Sequence, residues 1–248
     1  MPEPLLDLLW RDRAAAPVSR RRGPKARHST TDVVTLAIDL AVEGGIGAVT
    51  IRALAQKLEL TPMSVYTHVN SRDDLLVLMA DQAHGSMTPT PFGRSTWRTR
   101  VRRVADDNLA LLREHPWLLD LDDPRTALGP GTIAKYDREL HAFDGTSLDD
   151  VSRDAALTFV LDFTRATAAR IVVRPETGEF SELWEQSVAG LAAYLGDDLP
   201  LAQRVGRAAG EAMGGPYDAE RAWEFGLARV LAGLADLAGL RDAPPAAE

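Results

Sequence analysis

Cysteine is absent from the 248-residue chain, which excludes a disulfide framework and any thiolate-bound zinc. No apolar run approaches the roughly 18 residues that a membrane-spanning helix needs, and no signal-type apolar stretch follows a basic N-terminus. A soluble, cytoplasmic protein with no membrane partner is therefore expected. Strand-like alternation is scarce as well, so an all-α fold is predicted. With 45% hydrophobic and 26% charged residues, the composition is that of a globular chain rather than a disordered one.

Positive charge is scarce overall, since the net charge is −8, but it is unevenly placed. Residues 11–72 carry ten Lys/Arg against five Asp/Glu, and residues 73–248 carry 18 against 29. A basic N-terminal quarter on an acidic body suggests one segment that meets a polyanion and a remainder that does not.

Apolar residues recur at helical spacing in Val34, Ala37, Ile38 and Ala41, then in Ile51, Leu54, Ala55 and Leu58. The period continues through Trp97, Val101, Val104, Asn108 and Leu112, and through Trp223, Leu227, Val230, Leu231 and Leu234. Gly44-Gly45 closes the first of these helices, and Thr88 to Gly93 separates the basic quarter from the body. Four segments result: a basic flexible arm over 1–28, a small helical domain over 29–75, a helical bundle over 76–240 and a disordered tail over 241–248. Within the arm, Leu5, Leu6, Leu8, Leu9 and Trp10 could form one apolar turn ahead of the cationic run Arg20, Arg21, Arg22, Lys25 and Arg27.

The segment 29–76 marks its helix starts chemically. Ser29 with Asp32, Thr50, Thr61 followed by Pro62, and Ser71 with Asp74 each read as an N-cap. Two short helices, Ile51 to Leu58 and Pro62 to His68, are joined by about three residues, which is helix-turn-helix geometry. Small Ala55 suits a close helix crossing, with Leu58, Leu60, Val65 and Val69 filling the space between. Met63, Ser64, Tyr66, Thr67 and His68 are left free for a DNA major groove.

The run Thr50 to Leu58, followed by Val65-Tyr66-Thr67-His68-Val69 and Asp74-Leu75-Leu76, resembles the DNA-binding domain of the TetR family of bacterial one-component regulators. The likeness covers residues 20–85. It implies that Arg52 reaches a phosphate or base edge and that Thr61, Pro62, Met63 and Ser64 front the recognition helix. It also implies that Tyr66 and His68 touch phosphates and that Arg72 clamps the DNA backbone. Glu59 departs from the pattern, which usually has glycine there; either a strained positive φ or a different turn is expected. Met63 and Ser64 are poor bidentate base readers, so specificity would rest on Arg52, thymine methyl contacts and DNA shape. Arg20, Arg21, Arg22 and Lys25 would either enter a minor groove or remain a solvated tail.

Other clusters have bland explanations. His115, Asp120, Asp122 and Asp123 follow no metal-ligand template, and no metal or cofactor is expected. Gly129-Pro130-Gly131-Thr132 lacks the lysine of a phosphate loop, and no catalytic signature stands out, so an enzyme is not expected. Asn108 either bonds locally inside the bundle or meets a ligand, and Asp162 is expected to pair with Arg165 or Arg170.

The family likeness implies that the bundle holds a small-molecule effector pocket and a homodimer interface. Asn108, Leu112, Trp117, Tyr136, Phe159, Asp162 and Phe163 are the candidate pocket residues. Helices over 150–172 and 218–239 are apolar on more than one side, so Leu157, Leu161, Trp223, Leu227, Val230, Leu231 and Leu234 are assigned to a four-helix interface. The resulting expectation is a repressor that a small molecule releases from double-stranded operator DNA. The competing readings are an enzyme with an incidental helix-turn-helix and an architectural DNA binder that needs no effector.

Overall fold

The computed structural model describes residues 4–12, 28–172, 178–195, 198–213 and 218–237. Among these residues the chain forms eleven α-helices and no strand. They are α1 (Leu5–Leu9), α2 (Thr30–Gly44), α3 (Ile51–Lys57), α4 (Pro62–Val65), α5 (Arg72–Ser86) and α6 (Trp97–Glu114). There follow α7 (Pro130–Leu140), α8 (Asp150–Val172), α9 (Gly178–Leu195), α10 (Pro200–Met213) and α11 (Ala219–Leu237).

The expected caps set the early boundaries. Ser29 and Asp32 form a reciprocal capping box, satisfying two of the N–H groups that a helix start leaves open. Thr50, Thr61 and Ser71 accept from the backbone N–H groups of Ala53, Ser64 and Asp74. Gly45 follows α2 with φ +72°, a conformation that glycine reaches without a Cβ penalty.

Helix α5 organises the molecule. Leu75 through Asp81, together with Ala83, are all buried, so this helix is enclosed on nearly every side. It packs on α2 in the small N-terminal unit and on α7 in the body, and one apolar core continues across both. The expected domain boundary at residue 75 therefore falls inside a shared helix. The amphipathic α6 buries Val101, Val104, Ala105, Leu109 and Leu112 against α8 and α11.

Three sequence expectations need correction. The arm does not start at residue 1, because α1 folds back: Leu8 and Leu9 are buried, and the Trp10 indole donates to the Leu128 carbonyl at 3.0 Å. Arg20, Arg21, Arg22 and Lys25 lie outside the described residues, as does the tail over 241–248. Secondly, the aromatics expected together in the pocket are divided: Trp117 is buried, whereas Tyr136 and Phe159 are exposed. Thirdly, most residues assigned to the dimer interface belong to the single-chain core. Leu157, Trp223, Leu227, Val230, Leu231 and Leu234 are buried where α11 packs on α8 and α6, and Leu161 is half-buried against them. These are the faces of a heptad-like stripe, and a stripe alone does not say which neighbour covers it.

Candidate nucleic-acid interface and ligand cavity

The helix-turn-helix forms at the expected place. Ala55 and Leu54 are buried where α3 crosses α4, and Val65 and Val69 anchor the second element beneath. Helix α4 is four residues long, about one α-turn, and so shorter than the expected span from Pro62 to His68; beyond Val65 the chain continues as turns, with His68 N–H donating to the Val65 carbonyl at 2.9 Å. Glu59 takes φ +56° in the connecting turn, the strained alternative of the two expected.

The outward face carries the expected residues. Met63 is 76% exposed and Tyr66 47%, so neither is part of a sealed interior. Arg52, Thr61, Pro62 and Thr67 are exposed beside them, and Ser64 is half-buried. The hydroxyls of Thr61 and Ser64 lie 2.9 Å apart, and Thr67 donates to the Ser64 carbonyl, so part of this polar edge is already engaged. His68 is half-buried, 3.5 Å from the Thr30 hydroxyl, and burial followed by the nearby His28 lowers its pKa. Sequence reasoning passed over Gln56, which is exposed one turn after Arg52 on α3.

Arg72 departs from its expected role. Its Nε donates to the Val49 carbonyl and an Nη to the Ile46 carbonyl, both at 2.7 Å. The guanidinium thus ties α5 to the short turn Ile46–Ala48 between α2 and α3, instead of standing free to clamp DNA. Asp74, in the same first turn of α5, pairs with Arg125 at 2.8 Å, and Arg125 also holds Asp123. That pairing accounts for one member of the acidic loop, and among the described residues no cluster suits a metal ion.

A cavity of about 290 Å³ opens in the body between α5, α6, α7 and α8. Of the expected pocket residues, Asn108, Leu112, Tyr136 and Asp162 line it. Leu161, assigned to the dimer interface, lines it too. Trp117 instead fills the core, with its ring edge toward His115, and Phe159 faces outward on α8. Phe163 stacks on Trp223 at 5.4 Å and covers Gly226, where a Cβ would come within 2.5 Å of its ring.

The polar wall contains groups that no sequence pattern marked. Glu139 accepts from Lys135 Nζ at 2.7 Å on one oxygen and from Asn108 Nδ2 at 2.6 Å on the other. Asn108 also donates to the Val104 carbonyl, so it both bonds locally and faces the cavity. Burial pushes the Lys135 pKa down, opposed by Glu139. Arg165 donates to the carbonyls of Leu119 and Leu121 rather than pairing with Asp162. His84, on α5, meets the Thr132 hydroxyl at 2.9 Å, and burial first, then Lys135 and His115, push its pKa down to about 3. A neutral imidazole therefore lines the cavity at physiological pH.

The cavity wall and the DNA reader share α5. Asp81 caps α7 by accepting from the Thr132 N–H at 2.8 Å. At Gly129 and Gly131 the backbones approach so closely that a Cβ would lie 2.0 Å from Asp81 Oδ1 or 2.2 Å from the Asp81 carbonyl. The signal that could have exposed this contact was the Gly-Pro-Gly run itself, read instead only as a failed phosphate loop.

A model of the tetracyclin repressor-like C-terminal domain matches residues 88–238. The HTH-type transcriptional repressor DrrR1 of Streptomyces coeruleorubidus is 29% identical over 243 residues, covering 95% of this chain and 86% of that protein. Apo ActR from Streptomyces coelicolor is similar with a TM-score of 0.70 and 25% identity, over 87% of this chain and 99% of ActR. ActR in complex with actinorhodin shares the fold at a TM-score of 0.73 and 24% identity, over 86% of this chain and all, 100%, of that one. With an outward recognition turn at one end of α5 and a walled cavity at the other, the chain belongs to the TetR family of transcriptional regulators.

Proposed function

We propose that this chain is a repressor whose grip on a double-stranded operator is released when a small molecule enters the cavity between α5, α6, α7 and α8. One observation carries the reading: α5 bears the reader at its N-terminal end and contributes Ala80 and His84 to the cavity wall. A molecule that alters the α5–α7 contact shifts the reader, and population shift then lowers operator affinity. The actinorhodin-bound relative, similar in fold along nearly the whole body, supports a small-molecule effector. Arg52, Met63, Tyr66, Thr67 and His68 are the groups offered to DNA.

Two readers must be held about 34–36 Å apart to enter successive major grooves, so the active form is a homodimer working in the cytoplasm. All but Leu161 of the residues first assigned to its interface are buried in the single chain. The outward faces of α8 and α11 take their place, with Val151, Phe159 and Phe225 exposed in the single chain. Arg229 lies over the Phe225 ring at 5.7 Å.

The test is titration of the full-length protein onto its own promoter DNA at several salt concentrations. A steep loss of affinity with salt and a clear preference over random duplex are expected. A salt slope near zero, or equal binding to any sequence, refutes the reading.

A further inference from the structure

Lys135 and Glu139 sit one helical turn apart on α7, both less than a tenth exposed, on the wall of the cavity. Their donors and acceptors do not balance. Both Glu139 oxygens are taken, one by Lys135 and one by Asn108. An ammonium has three N–H donors, and Lys135 gives one to Glu139. No other acceptor among the described residues takes the remaining two. A buried cation with unused donors is costly, so the wall gains from any guest that brings a strong acceptor. The opposite guest gains less at this pair, because the buried Glu139 carboxylate is already satisfied, and the second carboxylate of the lining, Asp162, is exposed to water. Leu111, Leu112, Leu118, Leu121 and Leu161 supply the apolar part of the lining, which also includes His84, Tyr136, Asp162 and Arg165.

We infer that the cavity selects apolar organic acids, with an anionic oxygen of the guest bound by the unused N–H donors of Lys135. The inference rests on the cavity being the effector site. The cavity volume, about 290 Å³, lies at the small end of ligand pockets and limits the apolar part to about two fused rings. An incoming anion also favours the charged form of a lysine that burial disfavours.

The experiment titrates the full-length protein calorimetrically, at neutral pH, with naphthoic acid, its primary amide and naphthylmethylamine, three probes of one shape. The acid binds about tenfold or more tighter than the amide, because a charge-assisted hydrogen bond is roughly twice as strong as a neutral one. In the double variant Lys135→Met with Glu139→Met, the acid and the amide bind within about twofold of each other. Replacing both partners leaves no lone buried charge, so this variant keeps its fold, checked by cooperative melting. Equal or tighter binding of the amide or the amine to the native chain overturns the inference, as does an acid preference that survives in the double variant. A third protein, Leu121→Trp, fills the half-exposed side of the cavity. If it abolishes binding of every probe while acid and amide had bound alike, the cavity reading stands and only the acid preference falls. If it binds them unchanged, or if no probe binds the native chain, both readings fall.

Discussion

Substituting Gly131 by alanine probes the contact through which body and reader communicate. The added Cβ would lie 2.2 Å from the Asp81 carbonyl oxygen, 3.0 Å from the Gly85 nitrogen and 3.1 Å from Asp81 Oδ1. Ordinary carbon–oxygen contacts begin near about 3.3 Å, so α7 must retreat from α5 by about 1 Å. Such a shift stretches the Asp81–Thr132 bond of 2.8 Å and the His84–Thr132 contact of 2.9 Å beyond useful length. Overpacking costs about 1–3 kcal/mol, and losing a bond to a partly buried carboxylate costs about 1.5–3 kcal/mol. The expected loss is therefore about 3–5 kcal/mol, a large share of the roughly 5–15 kcal/mol that holds a typical domain together. Urea unfolding followed by circular dichroism, at fixed protein concentration, measures it. Gly190→Ala on α9 is the control: nothing lies within 4 Å of its added Cβ, and a change from zero to about 1 kcal/mol of stabilisation is expected. A Gly131→Ala protein within about 0.5 kcal/mol of the native one refutes the argument that the α5–α7 crossing has no spare room.

Two further predictions follow from single side chains. Arg72→Ala lowers unfolding stability by about 2 kcal/mol, because two carbonyls lose charged donors; unchanged stability with a salt slope of DNA binding reduced by about one would restore the phosphate-clamp role. For His84, the unfolded imidazole titrates near 6.5 and the folded one near 3, so the unfolded state binds more protons between those values. Its contribution to stability is complete above about pH 6.5 and falls as the pH drops toward 3. Asp81, whose burial raises its pKa, acts in the opposite sense, so the comparison is between proteins. His84→Gln flattens the acid loss of stability between pH 6.5 and 3 relative to the native chain, measured by urea midpoints; parallel curves for the two proteins would show that the imidazole is not kept neutral.

Much of the reader was legible in the residues. Caps are local: a hydroxyl at position i finds an N–H three residues on whatever the rest of the chain does, and Ser29, Thr50, Thr61 and Ser71 therefore mark real helix starts. The short spacing between α3 and α4 leaves few ways to join them, so the turn and the exposure of Met63 and Tyr66 followed. Even the strain at Glu59 was visible as a side chain where the turn favours glycine.

Tertiary structure alone decided the partners. Arg72 reads as a surface cation at a helix start, yet two carbonyls 23 and 26 residues earlier turn it inward. The apolar stripes of α8 and α11 name a buried face without naming what buries it, and here the answer is each other and α6. Lys135 and Glu139, an ordinary helical pair by spacing, are buried because Asn108 from α6 and the lining leucines close over them. The sequence by itself determined where helices begin, how they are spaced and which are amphipathic, since those depend on hydrogen bonds and periods within a few residues. Which faces meet, and which polar groups end in a cavity instead of in water, depends on contacts between residues far apart in the chain, and only the packed helices decided that.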